Sequence, residues 1–498
     1  MALAICSGCG GGQGQNNSNN SDAGTESELV SGEMSSWPEM ESEVSDSVSF
    51  AADSSVVSKI TSKAAGSSGI KSSAAVSSEE SYTRIYKPET KMDQTIYNIG
   101  MCVTDLSAEN DTAEVVRKRH ELYKDFGLKT IRLATLWGAV EQREGVFNNP
   151  PDQVHLNWIK QNGMRLKLII GAISVIPGWY LSRNPNATLV NDAGVKAASS
   201  VNYLLPGLHD KIEKAVDGIM KYYTETGLIS IVDSIVVDMG PAGEPLYPPA
   251  WTQNPDWLTT DSGPEHFWCY DAMMQADFRK VMQAKYKTIA AANKAWGQSY
   301  ASFDSLAVPK PGTVKGTMWN DVLTWYRQVK RDFMEQNVIT YKKVVDKYTK
   351  GRVKLILYIP GRDVRDEEWQ QAVESGEGSD MVKLMADSRH VIDLAKKYGC
   401  YLQSTGAEGE GELRYIRYYM EKIGCGNIPL FGENSGGYNV GKNMKSYVSV
   451  LRRNGLAGID ITHDQWIRAA DRFSPNEDYA TIKENLGILS DYLKSAIK

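Results

Sequence analysis

The stretch Ser234-Ile-Val-Val-Asp-Met-Gly-Pro-Ala-Gly-Glu244-Pro-Leu-Tyr-Pro248 joins an apolar, β-rich run to a turn that carries one carboxylate. A short apolar run bounded by turn residues is typical of a strand buried on both faces in a parallel sheet. The same order recurs in Ile428-Pro-Leu-Phe-Gly-Glu433-Asn-Ser-Gly-Gly437. The chain therefore contains two predicted strands that each lead into a glutamate within a glycine-rich turn.

Runs of the same kind recur along residues 92–498, separated by longer amphipathic stretches. The eight candidate strands are Tyr97–Val103, Thr130–Leu136, Leu166–Ala172, Ser234–Met239, Val353–Ile359, Tyr401–Ser404, Ile428–Phe431 and Gly458–Ile461. The main helical patterns are Thr112–Phe126, His209–Glu225, Trp319–Tyr348, Met381–Tyr398, Glu412–Ile423 and Lys442–Arg453. Eight strand–helix units predict an α/β fold, a (β/α)8 TIM barrel. A doubly wound open sheet is the alternative, but no GxGxxG or P-loop motif follows the first strand.

The N-terminal part of the chain differs in composition from the rest. Residues 10–80 consist mainly of Ser, Gly, Asn, Ala and acidic residues, with few large apolar side chains. Such a segment buries too little surface to offset its ordering entropy, so it is predicted to be a disordered tether. We therefore expect a low-complexity linker over residues 9–91 and a single folded domain over residues 92–498.

The sequence Ser-Gly-Cys9-Gly-Gly-Gly resembles a bacterial lipoprotein processing site, which makes Cys9 the expected lipid attachment point. Residues 1–8 lack a basic segment and a full apolar segment, so they correspond to a truncated signal remnant. A chance cysteine near a flexible terminus is the alternative. The long polar tether favours the lipoprotein interpretation and an extracytoplasmic location, at the bacterial cell surface or secreted.

Composition excludes several classes of function. The 498 residues carry a net charge of −6 without a basic patch, so no nucleic-acid partner is expected. The six cysteines and six histidines show no metal-ligand spacing, so no metal or other cofactor is expected, and the scattered cysteines are predicted to be buried thiols. Past the N-terminus no apolar run is long enough to span a bilayer, so membrane contact is expected only through the lipid anchor.

Glu244 and Glu433 are the strongest candidates for catalytic residues. In a parallel barrel the strand ends open onto one face, where active sites are built. Enzymes that cleave glycosidic bonds typically use two carboxyl groups, and this face would carry two. We expect desolvation to raise the pKa of Glu244, which would serve as general acid, and Glu433 to stay ionised. The alternative is that each glutamate is a solvated turn residue. Glu408 and Glu410 compete with Glu433 as the second carboxylate, although their stretch is more typical of a solvated loop.

Several short segments resemble known glycosidase families. The run Ile131–Phe147, with Arg132, Trp137 and Glu141, resembles the second-strand signature of retaining clan A glycosidases. Other segments resemble family 42 β-galactosidases, namely Ile176–Leu181, Leu205–Tyr223 and Ala291–Phe303. The segments that resemble β-amylases of family 14 are Gly240–Pro248 and Gly432–Asn434, its acid and base motifs, together with Phe267–Asp271 and Ala276–Phe278. The resemblance implies a (β/α)8-barrel glycoside hydrolase that acts on an oligosaccharide or polysaccharide.

The resemblance also implies roles for individual side chains. Arg132 would orient the Glu433 carboxylate, although a purely structural ion pair is the alternative. Trp466 would form a platform under the sugar, with core packing as its alternative. The remaining expected substrate-binding residues are Trp137, Glu141, Tyr247, Tyr358, Gln403, Asn434 and Asp464. For Glu141 a surface position at a helix start is equally compatible with the sequence. Tyr358 and Gln403 have the alternative of satisfying buried backbone groups.

Two departures from the families leave the specificity open. Gly243 precedes Glu244, where clan A enzymes normally have Asn, and no β-amylase-type lid motif follows the third strand. Arg132 favours retention of configuration, whereas the missing Asn and the β-amylase-like motifs favour inversion. We predict retention, with a carboxyl separation of about 5–5.5 Å rather than the roughly 6.5–9.5 Å of inverting enzymes.

Two other classes of function remain as alternatives. The first is a catalytically inactive surface lipoprotein that binds glycans without cleaving them. The second is a transport-associated solute-binding protein, which would have two similar lobes and a hinge. The chain contains no linker halfway along its folded part, which argues against two lobes. A monomer is expected.

Overall fold

The protein is described by a computed structural model over residues 98–102, 113–148, 150, 153–253, 263–360, 363–406, 410–433, 453–462, 487 and 491. Eight parallel strands close into a barrel in which β1 pairs with both β2 and β8. They are β1 Asn98–Cys102, β2 Thr130–Leu136, β3 Arg165–Gly171, β4 Val232–Val237, β5 Lys354–Ile359, β6 Tyr401–Ser404, β7 Leu430–Glu433 and β8 Gly458–Thr462. The (β/α)8 prediction is confirmed. Closure of the sheet rules out the doubly wound alternative and the two-lobed binding protein.

The boundary of β7 differs from the prediction in a way that matters for the site. The strand was expected over residues 428–431, but it begins at Leu430 and includes Glu433. Pro429 has no backbone N–H to donate to a ladder, and it precedes the first residue of the strand. Glu433 is therefore the last residue of a barrel strand and not a residue of the following turn.

Helices surround the barrel, and four of the six predicted helical segments match a helix of the structure, namely residues 112–126, 209–225, 319–348 and 412–423. The helices are α1 Ala113–Asp125, α2 Trp137–Val140, α3 Gln153–Gln161, α4 Gly178–Arg183, α5 Leu208–Glu225, α6 Ala272–Tyr286, α7 Ile289–Trp296, α8 Thr317–Thr349, α9 Asp366–Ser375, α10 Asp380–Leu384, α11 Ser388–Tyr398 and α12 Glu410–Lys422. The single helix expected over residues 381–398 is wrong. Met385 adopts a left-handed conformation (φ 50°) and ends α10, and the Asp387 side chain caps α11. The helix predicted over residues 442–453 lies almost entirely outside the described residues.

The described part of the long segment between β4 and β5 packs α6 and α7 against α8. Trp268 is buried and donates its indole N–H to the carbonyl of Pro248 at 2.8 Å, and Trp296 donates to Asp321 at 2.9 Å. These aromatic residues therefore stabilise the packing of the segment.

A two-stranded antiparallel pair, Thr188–Val190 with Lys196–Val201, was not predicted.

Among the described residues, the apolar core has a large cluster between the strands and the helices and two small clusters. One small cluster lies inside the barrel and consists of Ile169, Val236, Ile356 and Tyr358. Cys269, Cys400 and Cys425 are buried free thiols, as predicted for these three cysteines. Within the described ranges, no helix has the length and apolarity to cross a bilayer. In the same ranges, no group of three or more His, Cys, Asp or Glu side chains is arranged to hold a metal ion.

Candidate active site

Glu433 lies at the C-terminal end of β7, and its carboxylate points at cationic and amide groups inside the barrel. Nη1 of Arg132 on β2 forms an ion pair with its Oε2, and Nε2 of Gln403 on β6 donates to the same oxygen at 2.6 Å. Arg132 also donates to the hydroxyl of Tyr358 at 2.9 Å. Arg132, Gln403 and Tyr358 are buried, and Glu433 is 2% exposed. The carboxylate is thus held by charge-assisted hydrogen bonds.

A second ion pair lies beside the first. Nζ of Lys167 on β3 contacts both carboxylate oxygens of Asp460 on β8, at 2.9 and 2.8 Å. Gln403 joins the two pairs, because its Oε1 accepts from Lys167 at 2.9 Å while its Nε2 also donates to Asp460 at 3.0 Å. Two cations and two carboxylates form one buried, charge-balanced network.

The strand register explains this arrangement. Arg132 and Lys167 are directly paired on β2 and β3, and Glu433 and Asp460 are directly paired on β7 and β8. Like charges therefore lie side by side on neighbouring strands, which is unfavourable unless opposite charges approach them. In the closed barrel the long cationic side chains reach the carboxylates across the interior.

Glu244 is positioned by the segment that follows β4. Residues 241–243 form one turn of 3-10 helix, and Glu244 then returns to an extended conformation (φ −78°, ψ 143°). Close backbone packing holds this turn, since a Cβ atom on Gly240 would lie 2.2 Å from the carbonyl oxygen of Glu244 and 2.7 Å from that of Leu246. Only glycine fits at position 240. We call residues 239–246 the acid loop.

The electrostatic surroundings of Glu244 differ from those of Glu433. Desolvation raises the pKa of Glu244 to about 7, and the negative charge of Glu433 acts in the same direction. A hydrogen bond with Thr405 and the charge of Arg132 lower that pKa in part. A carboxyl group with a pKa of about 7 is about half protonated at neutral pH, so it can donate a proton there.

Asp238, just before the acid loop, anchors the loop after β3. Its carboxylate accepts from the backbone N–H groups of Ile173 and Ser174, both at 2.8 Å, and from the Ser174 hydroxyl at 2.9 Å. Burial raises the pKa of Asp238 to about 6, while these hydrogen bonds lower it in part. The two loops are therefore tied together next to Glu244.

Several residues that were predicted to bind sugar lie in the protein core instead. Trp137 is 1% exposed, packs against Trp179 and Tyr180, and donates its indole N–H to Glu141. Glu141 is buried rather than on the surface, and its other oxygen accepts from the N–H of Gly145 at 2.6 Å. Both side chains lie in the core and hold the turn after β2. The expectation that Trp137 lines the cleft is corrected, because an indole packed this way presents no free face.

The expectation that Tyr247 binds substrate is corrected for the same reason. Its ring is fully buried and stacks on Tyr326 with ring centroids 3.9 Å apart. Its hydroxyl donates to the backbone carbonyl of Tyr326 at 3.0 Å. Tyr358 and Gln403 contact Arg132 and Glu433 as described above, so they lie at the site but bond to protein groups. The expected site residues Cys9, Asn434, Asp464 and Trp466 lie outside the described residues, as does the competing Glu408; the side chain of Glu410 is likewise not described.

Sequence reasoning missed Lys167 and Asp238 and gave Asp460 no specific role. One signal was present, because Lys167 interrupts the apolar run Leu166-Lys-Leu-Ile-Ile170. A charged residue in a strand with this apolar pattern must have a buried partner. The sequence does not reveal which residue that partner is.

The barrel agrees with the comparisons to known proteins. Residues 107–356 match the model of glycosyl hydrolase family 14. The thermophilic β-amylase of Thermoanaerobacterium thermosulfurigenes is 37% identical over 247 residues, which are 46% of this chain and 43% of that protein. The β-amylase of Bacillus cereus is 22% identical over 348 residues, 65% of this chain and 61% of that protein. The chain thus spans about half the length of these relatives.

Solved structures show the same fold at low sequence identity. The catalytic domain of the Paenibacillus polymyxa β-amylase superposes with a TM-score of 0.63 at 18% identity, over 78% of this chain and 98% of that chain. The β-galactosidase of Marinomonas ef1 gives a TM-score of 0.53 at 15% identity, over 79% and 59% of the two chains.

Fold and site together define a (β/α)8 barrel with paired carboxylates at its C-terminal end. The family match covers half of the sequence, including Arg132 and Glu244. The chain belongs to glycosyl hydrolase family 14.

Proposed function

We propose that this protein is a glycoside hydrolase with β-amylase-type action on an α-glucan, in which Glu244 is the general acid and Glu433 the general base. The observation that carries the proposal is the difference between the two carboxyl groups. Burial raises the pKa of Glu244 to about 7, so that a large fraction carries a proton near neutral pH, whereas Glu433 bonds to Arg132 and Gln403. Pairs of titratable groups in environments of this kind are typical of acid and base assignments.

In the proposed reaction Glu244 gives its proton to the glycosidic oxygen as the bond from that oxygen to the anomeric carbon breaks. Glu433 takes a proton from a water molecule, and the water oxygen forms the new bond to the anomeric carbon from the opposite face. After product release, the proton on Glu433 passes to solvent and Glu244 is reprotonated. The configuration at the anomeric carbon is inverted. Arg132 keeps the Glu433 carboxylate oriented between cycles.

The substrate class is inferred from the family match and from relatives that are named β-amylases. The test is hydrolysis of maltopentaose and soluble starch, with an aryl β-galactoside as the comparison substrate. We expect release of maltose from the α-glucans and no cleavage of the galactoside. E244Q and E433Q should each lose at least about 100-fold in kcat/KM. E408Q is the control and should keep its activity. Absence of hydrolysis by folded protein would refute the proposal.

A retaining mechanism, with Glu433 as nucleophile, is the second candidate. The ion pair between Arg132 and Glu433 favours it, because an oriented carboxylate is also what a nucleophile requires. Proton NMR of the first product anomer separates the two mechanisms. An α-anomer from an α-glucan would support retention, and a β-anomer would support inversion. Carboxyl groups about 6.5–9.5 Å apart in a substrate complex would agree with inversion.

A glycan-binding protein without catalysis remains the alternative from another class. It predicts that the wild type and E244Q bind maltopentaose equally and that neither cleaves it. The enzyme proposal predicts binding by both and cleavage only by the wild type. Isothermal titration together with product analysis on the same samples separates these outcomes.

We further propose that the protein is attached to the outer face of a bacterial membrane through a lipid on Cys9. The proposal rests on the Ser-Gly-Cys9-Gly sequence and the polar segment that follows it. Metabolic labelling with palmitate should mark the wild type and leave C9A unlabelled. Labelling of C9A, or an unlabelled wild type in a host that processes lipoproteins, would contradict it.

A further inference from the structure

Lys330, on α8, is buried in an unusual setting. Its side chain is 0% exposed, and its Nζ donates to the backbone carbonyls of Leu246 at 2.7 Å and Met239 at 2.9 Å. The third neighbour of Nζ is the hydroxyl of Tyr203 at 3.0 Å. A lysine is rarely buried completely without a carboxylate partner. In the described part of the chain, none lies within ion-pair distance of Lys330.

The two carbonyl groups belong to the two ends of the acid loop. Met239 precedes Glu244 by five residues and Leu246 follows it by two. Tyr203 reaches the same place, since its hydroxyl also lies 3.4 Å from the Leu246 carbonyl. One amino group therefore joins the beginning and the end of the segment that carries Glu244.

The groups around the Lys330 side-chain amino group suit a structural link between parts of the chain. The rings of Tyr203 and Tyr247 lie 4.5 and 5.5 Å from Nζ. Burial lowers the pKa of Lys330 well below its usual value, and the charge of Asp238 opposes this only in part. Two carbonyl oxygens and one hydroxyl oxygen match the three N–H donors of the lysine ammonium group.

Other polar side chains of α8 reach neighbouring strand ends, which identifies this helix face as a support for the site. Asn337 donates to the carbonyl of Asp238 at 3.1 Å, and Tyr341 donates to the carbonyl of Ile170 at 2.6 Å. Both are buried, and they lie on the same face as Lys330 at helical spacing. Of the three, Lys330 is the one that bonds within the acid loop itself.

We propose that Lys330 is a positioning residue for Glu244, which it holds at the reaction position by bonding both ends of the acid loop. This inference rests on the proposed role of Glu244 as the acid. Its chemical basis is that proton donation requires placement of the donor within a fraction of an ångström. A misplacement of about 1 Å can cost about 100-fold in rate.

The variants to compare are K330M and K330Q. Met fills the same volume without a donor, whereas Gln is shorter but keeps an N–H donor. If Lys330 only fills space, K330M should be the milder change. If it positions the loop by hydrogen bonds, K330Q should be the milder one. K343M is the matched control, because Lys343 lies on the same helix and pairs with Glu213 outside the site.

The first readout is kinetic. We expect kcat on maltopentaose to fall about 10- to 100-fold in K330M and less in K330Q, with KM changed less than about threefold. K343M should behave as the wild type. A kcat within twofold of the wild type in folded K330M would overturn the proposal, as would a K330Q more impaired than K330M.

The second readout does not need activity, so it separates a failure of this inference from a failure of the proposed function. Hydrogen exchange measured by mass spectrometry should be at least about tenfold faster in peptides spanning residues 238–247 of K330M, with α5 unchanged. Unchanged exchange would overturn the inference even if the wild type proves inactive. If K330M does not fold, K330L, which also lacks a donor, takes its place, and wild-type exchange in this loop of K330L would overturn the proposal.

Discussion

At the scale of single residues, the neighbours of the two glutamates set their different chemistry. Glu433 has a cation and an amide within bonding distance, and Glu244 has a desolvated environment with one hydroxyl partner. Because both are glutamates at strand ends of the same barrel, residue type does not distinguish them. The difference arises from the side chains that the fold brings to each one.

Replacement of Glu244 by Gln should stabilise the protein more at pH 8 than at pH 5. The folded-state pKa of about 7 lies above the usual 4.5, so the folded protein binds more protons than the unfolded chain between these values. Stability is therefore lost as pH rises through this window, and E244Q removes the loss. Since Glu244 is partly exposed, we expect an extra gain of only about 1–2 kcal/mol at pH 8. Urea unfolding at both pH values measures it.

The control for this experiment is E367Q, which changes an exposed glutamate on α9. It should alter stability equally little at pH 5 and pH 8. An E244Q stability gain of the same size at both pH values would mean that Glu244 titrates normally.

The pair between Lys167 and Asp460 should behave as a buried ion pair. K167M leaves the Asp460 carboxylate buried without its cation and should cost about 3–5 kcal/mol of unfolding free energy. The double variant K167M/D460N removes both charges and should recover most of that loss. Chemical denaturation of the wild type, K167M, D460N and the double variant completes the double-mutant cycle. If the cost of the double variant equals the sum of the costs of K167M and D460N, the two side chains are not coupled.

A surface pair provides the comparison. Lys347 on α8 and Asp217 on α5 lie 2.6 Å apart and are largely exposed. Solvent and salt screen such a pair. K347M should leave the denaturation midpoint almost unchanged, and D217N should do the same.

At the scale of elements, the acid loop depends on close backbone approach at Gly240. The φ angle of Gly240 is 168°, which any residue can adopt, so crowding and not conformation makes glycine necessary. A Cβ atom there would meet the carbonyl oxygens of Glu244 and Leu246 at 2.2 and 2.7 Å. G240A must therefore displace the loop, and we expect kcat to fall at least about tenfold. Steady-state kinetics on maltopentaose test this.

G178A is the matched control for this substitution. Gly178 begins α4, and a Cβ atom there would have no neighbour within 4 Å. Alanine also restricts the unfolded chain, so G178A should keep its activity and gain a few tenths of a kcal/mol in stability. If G240A has full activity as well, the acid loop tolerates displacement and its tight packing is not needed for catalysis.

At the scale of the whole molecule, closure of the sheet supports the site. β1 bonds to both β2 and β8, so the strands that carry Arg132 and Asp460 are separated by a single strand. The network between Arg132, Gln403 and Glu433 then fills the barrel interior near its C-terminal end. Support from several strands gives the site the rigidity that preorganised catalysis requires.

Removal of the predicted tether should leave the folded domain unchanged. A variant that starts at Met92 lacks the polar, low-complexity residues that contribute no expected core. We expect its melting temperature to match the full chain within about 2 °C, its activity to be retained and both forms to be monomers. Calorimetry, maltopentaose assays and light scattering after size exclusion check these outcomes. A large loss of stability would show that residues before Met92 pack on the barrel.

The sequence by itself determined the barrel and drew attention to Glu244 and Glu433. Local features can be recognised from the sequence alone. Here they are the strand periodicity, the alternation with amphipathic helices and the glycine-rich turns. The expectation of single charged residues at strand ends follows from the same patterns.

Only the tertiary structure decided what surrounds those residues. Lys167 and Asp460 are 293 positions apart, and Lys330 is 84 positions from the carbonyl of Leu246 that it bonds. Trp137 and Tyr247, expected at the cleft, are buried because neighbouring elements cover them. The physical reason is that ion pairing, desolvation and burial depend on distances in space. Those distances are set by barrel closure and by the packing of α8, which no local pattern encodes.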